Sequence, residues 1–242
     1  QLGKYEGTVA GYSKEQAYDK AAYRYRFDAE ANMICINHLD KIYQAPVGFT
    51  GEFNIENMLV AIAICHLAGH ALSKLVAVTK KVKAVPGRLQ CLQTNAGHQV
   101  CVDYAHTPAG MASVLNDSTL LPAASGSVWC IFGCGGDRDA GKRPAMAHMA
   151  QSCAEHVVVV DDNVRNEPAE KIICDIIAGF DDKAGLTVCR DRRQAVQHVL
   201  HTAAVNDIVF LLGKGDETVV DYGQGKISQR DIDLVQQGEL SS

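Results

Sequence analysis

The chain has 242 residues, enough for one large α/β domain and part of another, and 47% of them are hydrophobic, an ordinary share for a globule with a sizeable core. A formal charge of −5 argues against nucleic-acid binding as a main activity, because phosphate backbones want a basic face, and leaves a local anion site open. No run approaches the ~18 apolar residues of a membrane span, so no membrane role is expected.

Residues 1–20 are polar with scattered charge, unlike a secretion signal, and Gln1 is not an initiator, so the sequence reads as beginning inside a longer protein. Residues 22–36 and 41–47 are expected to form a polar hairpin, with Tyr23, Tyr25 and Phe27 alternating along the first arm. A helix follows over 55–68, apolar almost all round (Met58, Leu59, Ile62, Ala63, Ile64, Leu67) and therefore expected to be buried. A second helix is expected over 73–82. Pro86-Gly87 breaks the pattern, and a domain boundary is placed there, with 1–85 the tail of one domain and 86–242 another.

From Val85 onward short apolar runs alternate with helical patterns, which predicts a doubly wound α/β domain with a mostly parallel six-stranded sheet. The strands are expected at 89–92, 99–103, 128–132, 156–160, 186–189 and 208–212. Several are apolar throughout, as for strands covered on both faces. Helical spacing is carried by Met146, Met149, Ala150 and Cys153, by Ile173, Ile176, Ile177 and Phe180, and by Val196, Val199, Leu200 and Ala203. Thr107-Pro108 and Glu167-Pro168 put proline at a first helical position, and Asp191 suits an N-cap.

Nine cysteines could suggest a disulfide scaffold. However, Cys130, Cys153, Cys174 and Cys189 lie in apolar runs, and no CxxC or Cys/His zinc spacing occurs. We expect reduced, buried cysteines, no metal centre, and a cytoplasmic protein.

In an open α/β sheet, ligands bind beyond the carboxyl ends of the strands. Polar motifs follow the expected strands one after another: Asp103-Tyr104-Ala105-His106-Thr107-Pro108, Gly133-Cys134-Gly135-Gly136-Asp137-Arg138-Asp139, Asp161-Asp162-Asn163-Val164-Arg165, Arg190-Asp191, and Gly213-Lys214-Gly215-Asp216-Glu217. Each has a bland reading. The glycines can serve only a tight turn, Arg165 and Glu217 can form a structural ion pair, His106 can cap its own helix, and Lys142 and Arg143 read as a solvated first turn. Cys134 lacks a general base fixed beside it. The glycine run is not GxGxxG, which counts against a nicotinamide-dependent oxidoreductase. Together, the guanidinium groups of Arg138 and Arg165 and the carboxylates of Asp103, Asp162 and Glu217 suit a zwitterion better than a plain phosphate.

These loops, with Gly141-Lys142-Arg143-Pro144 and Gly51-Glu52-Phe53-Asn54-Ile55-Glu56-Asn57, closely resemble the Mur ligase family, and within it the branch that adds diaminopimelate. Order and spacing agree through 85–220. The resemblance implies the end of a central ATPase domain (1–85) and a C-terminal domain (86–242) of a three-domain, cytoplasmic, monomeric enzyme. In that enzyme, ATP with Mg²⁺ activates a glutamate carboxylate of a UDP-muramoyl dipeptide as an acyl phosphate, which the amine of meso-diaminopimelate attacks.

Carried over by motif, Arg138 would bind the amino acid's carboxylate. Asp162, Asn163, Val164 and Arg165 fall on the family's Asp-Asn-Pro-Arg motif, and Gly213 and Glu217 would hold the far end, with Glu217 on the ammonium. Asn54 and Asn57 would lie near the adenine, and Arg88, Asp103 and His106 near the ribose and phosphates. Arg165 would reject lysine, which has no distal carboxylate, because an unpaired buried charge costs several kcal/mol. No catalytic residue is implied within the chain. Two departures stand out. Val164 replaces proline, which would loosen the loop carrying Arg165, and Asp216 stands where the family usually has histidine. The chain also has no GxxxxGK[ST] phosphate loop, so on its own it is expected not to use ATP. A non-catalytic amino-acid-binding module derived from such a ligase is the alternative.

Overall fold

The computed structural model describes residues 12–14, 23–28, 31–49, 51–117, 120 and 126–239, and the chain divides into two compact units, Gln1–Ala84 and Val85–Ser242. In the first unit, β1 (Tyr12–Lys14) runs parallel to β2 (Tyr23–Asp28). β2 pairs antiparallel with β3 (Met33–His38), and β3 with β4 (Lys41–Pro46). The expected single arm over 22–36 is therefore two strands. The chain turns between them where the Asp28 carboxylate accepts from Ala31 N at 3.0 Å and Asn32 takes a left-handed φ of 50°. Tyr23, Tyr25, Ile34, Ile36 and Ala45 share one buried cluster with Ile55, Met58, Leu59, Ile62 and Ala63 of α1 (Glu52–Leu67).

α1 is not buried all round as its composition suggested: Ile64 and Leu67 are 61% and 53% exposed. They lie outside the stripe that faces the strands. The second helix is shorter than expected. α2 covers Leu72–Val78 and then tightens into a 3₁₀ turn, Thr79–Lys81, where the Thr79 hydroxyl bonds the Val76 and Pro46 carbonyls.

The second unit is a six-stranded sheet in the order β5 (Gln90–Gln93), β6 (Gln99–Asp103), β10 (Ile208–Leu212), β7 (Val128–Phe132), β8 (His156–Val159) and β9 (Leu186–Val188). β5 is antiparallel to β6 and the other pairings are parallel. The helices between are α3 (Pro108–Leu115), α4 (Lys142–Cys153), α5 (Ala169–Ile177), α6 (Arg192–Thr202) and α7 (Asp231–Glu239). One face of the sheet (Val100, Val102, Trp129, Ile131, Val158, Val209, Leu211) packs on α6 and α7 through Ala195, Val196, Val199, Leu234 and Val235. The alternate residues Cys101, Cys130, Phe132, Val157, Val159, Phe210 and Leu212 are buried as well, so both faces are covered.

Thr107 caps α3 by accepting from Gly110 N with Pro108 in the first turn, and Asp191 caps α6 through Arg193 N and Gln194 N. Pro168, in contrast, is the N-cap of α5 and not its first residue. A small antiparallel hairpin, β11 (Val219–Asp221) and β12 (Lys226–Ser228), follows β10 and was not anticipated, nor was α7. No helix among the described residues is long and apolar enough to cross a membrane.

The cysteines depart from expectation. Cys91 and Cys101 form a disulfide, being direct partners in the β5–β6 register with Cα atoms 4.0 Å apart. That register could not be read from a spacing of ten. Cys174 is exposed, because Ile172, Ile173 and Ile176 supply the buried side of α5. Cys153 and Cys189 are half-buried, and Cys130 alone of the four is buried.

Candidate functional site

β6 and β7 are consecutive strands separated by β10, so the loops leaving the carboxyl ends of β6, β10, β7 and β8 gather along one edge. The close approach there needs glycine. Gly213 turns out of β10 at φ 105°, and a side chain on Gly215 (φ 53°) would meet Gly87 O at 2.6 Å.

At the centre is Lys214, which is completely buried. Its Nζ donates to Glu217 Oε2 at 2.9 Å and to Val219 O at 3.1 Å, and stands 3.8 Å from Asp162 Oδ1. Asn163 Nδ2 donates to the same Glu217 oxygen at 2.9 Å, and Asn163 Oδ1 accepts from Asp221 N at 2.8 Å. Arg165 holds a left-handed φ of 53°. Its amide donates to Asp221 O at 3.1 Å, and its Nη1 donates to Gly136 O at 2.8 Å and Asn163 O at 3.3 Å. Arg165 has no carboxylate partner among the described residues. Asn163, Arg165, Asp216, Glu217, Thr218, Val219, Asp221 and Lys226 line an open cavity of about 440 Å³.

Val164 points inward, buried, while the backbone around it is bonded on both sides: Gly136 N to Asn163 O and Glu167 N to Val164 O. Asp216 makes an ion pair with Arg230 at 2.8 Å, so its negative charge is matched.

The glycine-rich loop after β7 is pinned from below. Arg143, expected on a solvated first turn, is fully buried. It donates to Glu167 at 2.6 and 2.8 Å, to Asp175 at 2.7 Å and to Gly135 O at 3.3 Å. Glu167 also accepts from Asp137 N at 3.2 Å. The Arg143 bond above all holds the Glu167 carboxyl down at about 2. Arg138 is exposed on this loop, with Nη1 on Asp137 O at 3.3 Å, and its side chain and that of Arg165 flank Gly135. Cys134 is buried, and burial pushes its thiol up to about 12, which rules it out as a ready nucleophile.

At the end of β6, Asp103 is a clasp. One carboxylate oxygen accepts from Leu89 N and the other from Ala105 N, both at 2.7 Å. Burial raises its pKa, against the pull of those N–H groups and of Arg88. The Arg88 guanidinium lies 4.6 Å over the Tyr104 ring, and His106, exposed, bonds Tyr104 O through Nδ1 at 2.9 Å. His106 does not cap α3, since Thr107 does. Lys142 Nζ donates to His106 O at 2.8 Å. Asn54 and Asn57 lie in the first turns of α1, in the other unit.

The family profile described as "Mur ligase, glutamate ligase domain" matches residues 87–215, more than half the chain. The chain belongs to the Mur ligase family. Among curated proteins it is similar to UDP-N-acetylmuramoyl-L-alanyl-D-glutamate--2,6-diaminopimelate ligases. The enzyme of Haemophilus influenzae is 41% identical over 69% of this chain and 34% of its own length. That of Neisseria meningitidis is 33% identical over 98% of this chain and 51% of its own. A solved structure of a ligase of that name aligns with a TM-score of 0.65 at 31% identity, over 94% of this chain and 47% of the other. The chain thus spans between a third and about half of the length of the relatives it matches.

Of the seven Mur ligase positions carried over for the amino acid, Asn163, Arg165 and Glu217 line the cavity together. Asp162, Val164 and Gly213 are buried and do not line it, and Arg138 stands on the adjoining loop. Sequence reading missed Lys214, the buried cation that bonds Glu217, and Arg143, the buried cation that bonds the loop carrying Arg138. A charged residue beside glycines looks solvated in one dimension, and the only hint was its place inside a motif otherwise committed to the site.

Proposed function

We propose that the chain is the amino-acid-binding part of an ATP-dependent ligase that adds meso-diaminopimelate to UDP-N-acetylmuramoyl-L-alanyl-D-glutamate for peptidoglycan. The observation that carries this reading is the cavity in which Arg165 and Glu217 meet. A guanidinium fork with no carboxylate of its own takes the distal carboxylate, and Glu217, whose Oε1 has no donor among the described residues, takes the distal ammonium. Arg138, across Gly135, would take the other carboxylate and so direct the remaining amine outward as the nucleophile. Orientation of this kind is a large part of what a ligase must supply. Both departures from the family pattern are accommodated, Val164 by burial and Asp216 by Arg230.

ATP would supply the phosphoryl group that makes a carboxylate oxygen a leaving group. The residues here fit only part of that nucleotide. Arg88 and His106 gather at one edge around Tyr104, chemistry suited to a sugar or a phosphate. Both Asp103 oxygens are already engaged, and no group of three or more His, Cys, Asp or Glu among the described residues is arranged to hold a metal.

Calorimetry on the 242-residue chain tests the reading. Diaminopimelate should bind, and lysine at least about tenfold more weakly, since it leaves Arg165 unpaired. Equal affinity for both, or binding of neither, would sink it.

A further inference from the structure

We infer that Lys214 is the positioning residue for the amine end of this site, and thereby sets the preference for an amino acid with an ammonium group there. The inference rests on the amino-acid site proposed above. Lys214 does not line the cavity. It is wholly buried, and its ammonium joins segments that reach the crevice separately: the loop after β8 through Asp162, the loop after β10 through Glu217, and β11 through Val219 O. Glu217 Oε2 receives Lys214 Nζ and Asn163 Nδ2, both at 2.9 Å. That oxygen is satisfied, and swinging it away would strand a buried cation, which is costly. The carboxylate is therefore held in one rotamer with Oε1 left for a ligand. The other carboxylates of the cavity are tied to exposed partners, Asp216 to Arg230 and Asp221 to Lys226 at 3.7 Å. Glu217 alone among them is fixed by a buried charge.

The test compares meso-diaminopimelate with 2-aminopimelate, which keeps both carboxylates and lacks the far amine, by calorimetry on the whole chain. Wild type should prefer diaminopimelate by about tenfold or more, the worth of a charge-assisted bond. In Lys214→Met the preference should fall to within about twofold, while affinity for 2-aminopimelate changes little. A merely structural role would weaken both ligands alike and leave the ratio intact. Methionine leaves Asp162 and Glu217 without their cation, so unfolding temperature is followed in parallel, and Lys214→Met/Glu217→Gln relieves the imbalance. The double variant should match Glu217→Gln alone in its ratio, because Lys214 acts through that carboxylate. A ratio preserved in Lys214→Met, or a further drop in the double variant below Glu217→Gln, overturns the positioning role and leaves the site reading standing. A wild-type chain that binds neither ligand, or does not discriminate between them, overturns both.

Discussion

The two edges of the six-stranded sheet both bury polar groups, and they treat them differently. At the amino edge, where β7 and β10 begin, Asp207 accepts from Ser127 N at 2.8 Å and from Trp129 Nε1 and Ala204 N at 2.9 Å. Burial pushes its carboxyl up, and those donors outweigh it, so the net displacement is downward. His98 at the same edge is closed on Ala203 O and Thr94. Both are satisfied from within. At the carboxyl edge the buried cations Lys214 and Arg143 are paired with carboxylates, Arg143 keeping a buried Nε without a partner among the described residues, and two groups at the cavity have bonding capacity to spare: Arg165 meets only carbonyls, and Glu217 has engaged one oxygen. The polar groups of the amino edge hold the fold, and Arg165 and Glu217, whose spare bonding capacity lies at the cavity, mark the candidate ligand site.

The largest effect should come from breaking a buried ion pair beneath the site. Arg143→Met would leave Glu167 and Asp175 without their buried partner, and stability measured by denaturant unfolding should fall by about 3–5 kcal/mol. The same variant should change the acid limb of the stability curve. Glu167 has a depressed folded pKa, so the stability it contributes is present above the ordinary glutamate range and lost as pH falls toward about 2. Arg143→Met should lack most of that loss. An unchanged acid limb would mean that Glu167 owes its low pKa to other neighbours.

Breaking the amino edge sharpens the contrast. Asp207→Ala strands Trp129 Nε1 and two backbone N–H groups, which should cost about 2–3 kcal/mol and leave diaminopimelate affinity of the folded protein unchanged. Arg165→Lys should do the reverse. A lysine keeps the charge and loses the fork with its bonds to the loop carbonyls, so stability should fall by about 1 kcal/mol or less, while calorimetry should show diaminopimelate binding weakened about tenfold. If Arg165→Lys destabilised the protein as Asp207→Ala does, the division between the edges would fail.

The amino edge was the more obscure in the sequence. Trp129 and Asp207 are 78 residues apart, and nothing in a linear pattern joins them. The strands themselves were legible, because runs such as Val128–Phe132 and Ile208–Leu212 are apolar throughout and bounded by glycine, serine or charge. The order that puts β10 between β6 and β7 was not, since strand insertion leaves no local trace. The β2–β3 turn was missed for a related reason. Asn32 in a left-handed conformation looks like any polar residue in a strand, so two arms read as one. In the candidate site, Arg165 and Glu217 stand in motifs the sequence already displays. Their supports were not, because whether Lys214 or Arg143 is solvated depends on carboxylates that arrive from elsewhere in the chain.

The smallest effect is expected where a charge inside the cavity is already committed at the surface. Asp216 lines the cavity beside Glu217, and its partner Arg230 is 2.8 Å away with both side chains substantially exposed. Exposed pairs contribute little because water screens them and long side chains lose entropy when held, so Asp216→Asn should shift the unfolding free energy by less than about 1 kcal/mol. Its effect on binding should be small as well. The carboxylate is spent on Arg230, so removing it should change diaminopimelate affinity by less than about threefold at physiological salt. A tenfold loss would place Asp216 with Glu217 among the groups that grip the ammonium, and Arg230 would then be a guard that a bound ligand displaces.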